Sequence, residues 1–201
     1  LTRINQAMLT VVAGTKQTAC FYDTDLCGDG GPAILAGFYL SGSTATIPLA
    51  AIDADSKGLF VADQGASGRG RIRFINLTGT SVTLAGVTVP AGAIDTIAGA
   101  GLAYPYDGGL ATSSTFLTPT GVTTDGNGNL WIADTVASLL RFVNRGTAPV
   151  TLFPGTTSAI TVQAGRVASI NTDRTGGQVN GPVRNASFAE PQGLFATSRG
   201  I

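Results

Sequence analysis

Two aspartates, Asp63 and Asp134, close matching stretches of this sequence, and an arginine follows each of them, Arg73 and Arg141. A second aspartate pair, Asp29 and Asp107, lies in glycine-rich connectors, Cys27-Gly28-Asp29-Gly30-Gly31-Pro32-Ala33 and Tyr106-Asp107-Gly108-Gly109-Leu110-Ala111. Carboxylates at equivalent repeat positions, turned toward a common channel, can bind a cation such as calcium, which takes several oxygens. At strand ends and in turns, the same residues are acceptors for main-chain N–H groups. The arginines have two readings as well. They can clamp a carboxylate or phosphate ligand, or they can pair with aspartates of their own sheet.

Other chemistry is excluded by residue type. The 201-residue chain has no histidine, which removes His-based triads, imidazole acid/base catalysis and His-ligated zinc. There is no Gly-x-Ser-x-Gly elbow, and neither cysteine has a partner base. Gly28 to Gly31 lacks the Lys-Ser/Thr of a phosphate loop. Cys20 and Cys27 bracket a short polar loop and suit a disulfide, which points to an oxidising compartment; two free thiols are the alternative. Asp23 and Asp25 inside that loop fall short of an EF-hand pattern. The triplets Asn76-Leu77-Thr78 and Asn185-Ala186-Ser187 are N-glycosylation sequons.

The elements that position these residues follow from composition. Glu190 is the single glutamate and Lys16 and Lys57 the only lysines, so the usual helix surface is missing. Gly occupies 28 positions, and Thr, Val, Ile and Asp are abundant, the vocabulary of strands joined by tight turns. Twelve basic and twelve acidic side chains give zero net charge, which argues against a nucleic-acid partner. No stretch approaches the roughly 18 apolar residues of a membrane helix. An all-β chain is expected.

Repetition organises it. The segment from Ile47 to Asp63 aligns without gaps on Thr118 to Asp134, and a third copy starts at Glu190-Pro191-Gln192-Gly193-Leu194-Phe195. Arg71-Ile72-Arg73-Phe74-Ile75-Asn76 matches Leu139-Leu140-Arg141-Phe142-Val143-Asn144, and both resemble the opening Leu1-Thr2-Arg3-Ile4-Asn5. Prolines 48, 119 and 191 mark a spacing of about 71 residues. Each unit reads as four short strands, and two units carry Thr/Val-rich segments, Ser81–Pro90 and Val150–Val162, expected as hairpins inserted between the third and fourth strands. The chain is thus read as a single partial array, with 1–46 a half-blade plus a Cys/Gly-rich loop, 47–99 and 100–170 full blades, and 171–201 the start of another. A four-stranded sheet cannot hide both faces alone, so neighbouring units must cover them, as radial stacking does.

On these residues the chain resembles the NHL-repeat family of β-propellers. Asp125 to Asp134 follows that family's Asp-x-x-Gly-Asn-Leu-Tyr-Val-Ala-Asp pattern with Trp131 in the aromatic place, and Gly28 to Ala33 follows its connector. The resemblance implies propeller blades of four-stranded antiparallel sheets. Two complete units are fewer than the roughly four to eight of a closed propeller, so a longer polypeptide or several chains would supply the rest. It also implies a non-catalytic, extracellular or cell-surface scaffold binding protein or glycan; self-association through the Thr-rich hairpins is expected from the residues themselves, because exposed strand edges pair readily with another chain. The alternative it implies is a calcium-dependent, lactonase-like hydrolase, with calcium as the possible cofactor. The expected ligand site lies on loops at one face, including 20–27 and 37–46.

Overall fold

A computed structural model describes residues 10–14, 27–38, 51–64, 69–99, 108–175, 177, 179–197 and 201. Twelve strands lie within them: β1 (Ile52–Ala54), β2 (Gly58–Asp63), β3 (Arg71–Asn76), β4 (Val82–Leu84), β5 (Val87–Val89), β6 (Ile94–Gly99), β7 (Pro119–Thr124), β8 (Leu130–Asp134), β9 (Leu139–Val143), β10 (Val150–Leu152), β11 (Ile160–Val162) and β12 (Val167–Ser169). Beside them stand two 3₁₀ turns, Ala33–Leu35 and Ala111–Ser113. Among the described residues no helix is long and apolar enough to cross a membrane.

The chain is all-β, as its composition requires. Two four-stranded antiparallel sheets have the orders β1-β2-β3-β6 and β7-β8-β9-β12. Between the third and fourth strand of each sheet a two-stranded hairpin is inserted, β4-β5 in the first and β10-β11 in the second. Turn chemistry sets each first connection. The Asp55 Oδ1 accepts the N–H groups of Lys57 and Gly58, at 2.8 and 3.1 Å, and the Asp125 Oδ1 accepts those of Asn127 and Asn129, both at 2.9 Å.

Register corrects one detail of the gapless alignment. Asp53 lies opposite Phe60 and Thr123 opposite Trp131, so Asp53 corresponds to Thr123, whereas the ungapped match sets it against Thr124. The cause is local. The turn from Thr124 to its partner Leu130 is one residue longer than that from Ala54 to Leu59, and a bulge between Pro119 and Gly121 shifts the register of β7 by one further residue.

The sheets pack face to face. Phe60 and Phe74, with ring centroids 4.9 Å apart, share one buried cluster with Val122, Leu130, Ile132, Val143 and Val167 of the second sheet. Val82, Leu84 and Val89 of the first hairpin join that cluster, so the hairpin is part of the junction between sheets. Closeness is enforced by Gly70, where an added Cβ would lie 2.1 Å from Cδ of Pro119. Gly70 also donates its N–H to the Phe116 carbonyl at 2.8 Å.

The third copy of the repeat, starting at Glu190-Pro191-Gln192-Gly193, makes similar contacts with the second sheet. Thr135 Oγ1 donates to the Pro191 carbonyl at 2.7 Å, and Ala196 N–H donates to Thr123 Oγ1 at 3.1 Å. Gly193 stacks on Gly121, where an added Cβ would lie 3.1 Å from Gly193 N. Leu194 and Val183 then pack with the Trp131–Phe142 pair and the second hairpin.

Candidate functional site

Three of the candidate residues meet in one buried cluster. Arg73, in the middle of β3, is fully buried. Its Nε donates to Asp29 Oδ1 at 2.9 Å, its Nη1 reaches Asp63 Oδ2 at 3.4 Å, and its Nη1 and Nη2 also donate to the carbonyls of Gly37 at 2.5 Å and Cys27 at 3.0 Å. The guanidinium lies over the Phe38 ring, 5.0 Å from its centroid. Arg71 joins from the same strand, with Nε 3.4 Å from Asp63 Oδ2 and Nη1 3.7 Å from Asp29 Oδ2. Thr96 Oγ1 donates to Asp29 Oδ2 at 2.5 Å. The Arg73 and Asp29 positions are 44 residues apart, so the cluster staples the connector to the sheet.

The connector is zipped to the fourth strand as well. Gly30 N–H donates to the Ile94 carbonyl and Ala33 N–H to that of Gly92, at 2.8 and 2.9 Å. In the second unit Gly108 donates to Val167 and Ala111 to Gly165, at the same two distances. Gly30 and Gly108 take the positive φ, 79° and 77°, that these connectors require and that glycine adopts without strain.

The second unit repeats the stack with altered charge. Arg141 is fully buried, its guanidinium 5.4 Å from the Phe116 centroid, as Arg73 sits over Phe38. Asp134 Oδ1 accepts the N–H groups of Leu117 and Thr118 at 2.9 and 3.0 Å. Opposite Asp134 stands Leu139, whereas Asp63 faces Arg71. Burial therefore raises the Asp134 carboxyl above its ordinary range, against the lowering pull of the Thr118 N–H and the Arg141 charge. Asp107 and Cys20 lie outside the described residues, as do Asp23, Asp25 and most of the 37–46 loop. Cys27 is buried.

A further set of polar residues joins the two sheets. Asp53 Oδ2 accepts both the N–H and the hydroxyl of Thr124, at 2.5 and 2.9 Å. Burial acts to raise the Asp53 carboxyl, but the hydrogen bonds from Thr124 and Ala54 outweigh it and hold it below the usual range. Arg145 Nη2 pairs with Asp55 Oδ2 at 2.9 Å, Nε donates to the Gly128 carbonyl, and the guanidinium covers Phe60 at 4.3 Å.

Sequence reasoning missed the asparagines that end the third strands. Asn76 Nδ2 donates to the carbonyls of Thr80, Val89 and Pro90 at 2.8 to 3.0 Å, clasping both arms of the first hairpin. Asn144 does the same for the second through Ala148 and Val162, at 2.8 and 2.9 Å. The signal was present in the shared Arg-Phe-Ile/Val-Asn ending, and the sequon at Asn76 drew attention away from it.

Chemically, the first cluster is a closed ion-pair network, because two guanidiniums already serve two carboxylates away from water. Among the described residues no group of three or more His, Cys, Asp or Glu side chains is arranged to hold a metal ion. Fold and cluster define a class: an all-β protein of blade-like four-stranded sheets, stapled internally by buried Arg–Asp contacts. No protein-family model matches the chain, and no curated protein is significantly similar to it.

Proposed function

We propose that this chain is a non-catalytic scaffold of NHL-like β-propeller blades, secreted or displayed at the cell surface, that acts by binding protein or glycan or by assembling. The observation that carries this reading is the use made of the recurring charged residues. Asp29, Asp63 and Arg73 are engaged with one another and with the connector backbone inside the sheet, an arrangement suited to holding blades together. Loops then remain as the place for ligand contacts. The hairpins support an assembly role. Each presents an exposed threonine pair, Thr83 with Thr88 and Thr151 with Thr161, their hydroxyls 2.9 and 3.0 Å apart. Cys27, buried and not a free thiol, supports a Cys20–Cys27 disulfide and with it an oxidising compartment.

Thermal unfolding with and without millimolar calcium, alongside a lactone-hydrolysis assay, separates this reading from the hydrolase. A scaffold is expected to melt at the same temperature in both and to leave lactones intact. A calcium-dependent rise in melting temperature together with lactone turnover would replace it with the metal-dependent enzyme, since a ligand bound only by the native state stabilises it.

A further inference from the structure

The two sequons have opposite structural fates. Asn76 is completely buried, and its Nδ2, the atom that would carry a sugar, is spent on three carbonyls of the hairpin it clasps. Its Oδ1 accepts from the N–H and hydroxyl of Thr78 at 2.9 and 2.8 Å, so the third residue of the triplet is also part of the clasp. Asn144, which plays the same part in the next unit, is followed by Arg145 and Gly146 and forms no sequon. The triplet at Asn76 is therefore accounted for by the hairpin clasp alone.

Asn185 differs at the asparagine itself. It is exposed, on a turn closed by its own N–H and that of Ala186, which donate to the Pro182 carbonyl at 2.8 and 3.1 Å. Ser187, two residues on, is tied to the Val179 backbone, its Oγ accepting the Val179 N–H at 2.9 Å and its own N–H donating to the Val179 carbonyl at 3.2 Å, while Asn185 stays exposed. A bulky polar substituent there meets solvent. At Asn76 it would expel the hairpin arm.

Resting on the extracellular reading above, we infer that Asn185 is the acceptor for an asparagine-linked oligosaccharide and that the folded chain carries none at Asn76. In the transfer, Asn185 Nδ2 gives up a proton and bonds to C1 of a sugar. The sugar's C1–O bond to its polyprenyl diphosphate donor breaks, and the lipid diphosphate leaves with the bonding pair, balanced by the proton that the amide released.

Translation behind an appended secretion signal, in the presence of microsomal membranes, reads the transfer directly. Protease-resistant product is expected to gain one glycan that peptide-N-glycosidase removes. Asn185→Gln is expected to abolish it, and Thr78→Ala, which destroys the other triplet but keeps the Asn76 amide, to leave it unchanged. Protease-resistant product with no glycan, while a control sequon appended to its C-terminus is modified, overturns the inference; so does a glycan that survives Asn185→Gln. Either result leaves the scaffold reading standing, because that reading is tested by calcium and lactone and not by glycan occupancy.

Discussion

Thr124 gives both its main-chain N–H and its hydroxyl to the Asp53 carboxylate across the junction of the two sheets. One repeat later Ala196 gives its N–H to Thr123, the residue that occupies the Asp53 position in the second sheet. The same step thus relates the first sheet to the second and the second to the segment 191–197. In both cases the segment that opens a repeat seats on the sheet before it.

The Asp53 contact carries a pH signature. Its folded-state carboxyl titrates below the ordinary value of 3.8, so the stability it contributes is present above that value and is lost as pH falls through the folded value. Asp53→Asn is expected to flatten the acid limb of the stability–pH curve below about pH 4. Urea melts of both proteins between pH 2 and 7 check this; parallel curves would show that the contact is not formed in solution.

Gly70 sets the spacing between sheets. A methyl group there collides with the Pro119 ring, a rigid neighbour tied to the start of β7. Gly70→Ala is expected to destabilise the chain by about 1–3 kcal/mol, the usual range for overpacking. Gly79→Ala, where an added Cβ meets nothing, should cost far less. Chemical denaturation of the two variants makes the comparison, and equal losses would contradict the close seating.

Removing the asparagine clasp should loosen one hairpin and spare its sheet. Asn76→Ala strips donors from the Val89 and Pro90 carbonyls, a loss of about 1–3 kcal/mol for buried acceptors left without partners. Amide hydrogen exchange is expected to quicken in β4 and β5 and to change little in β2. Uniform acceleration across the sheet would mean that the hairpin is not a separable unit, a result its share in the inter-sheet core makes worth measuring.

How far these features can be read from sequence differs by element. Strand order and hairpin position were legible because each strand repeats with its own apolar pattern and each turn with its own Asp and Gly. The extra residue in the 125–129 turn was not, since a one-residue slip in a loop leaves the flanking motif similarity intact while shifting every contact of the preceding strand. Arg73 and Arg141 were recognisable as recurring, but recurrence alone does not say whether a guanidinium faces ligand or protein. That was settled for Arg73 by Asp29 and the Cys27 carbonyl, groups more than forty residues away in sequence. Asn76 was misleading for the opposite reason: its local triplet has a familiar chemical meaning, and the partners that claim its amide lie in the hairpin.

The internal staple is the claim on which the scaffold account stands, and a double-mutant cycle between Arg73 and Asp29 tests it most directly. Arg73→Met alone is expected to cost about 3–5 kcal/mol, because it strands buried carboxylates without their partner. Combined with Asp29→Asn it should cost at least about 1.5 kcal/mol less than the sum of the single changes, in the range of directly coupled residues. Losses that add to within about 0.5 kcal/mol would mean that the two side chains do not depend on each other, and the buried staple would have to be abandoned.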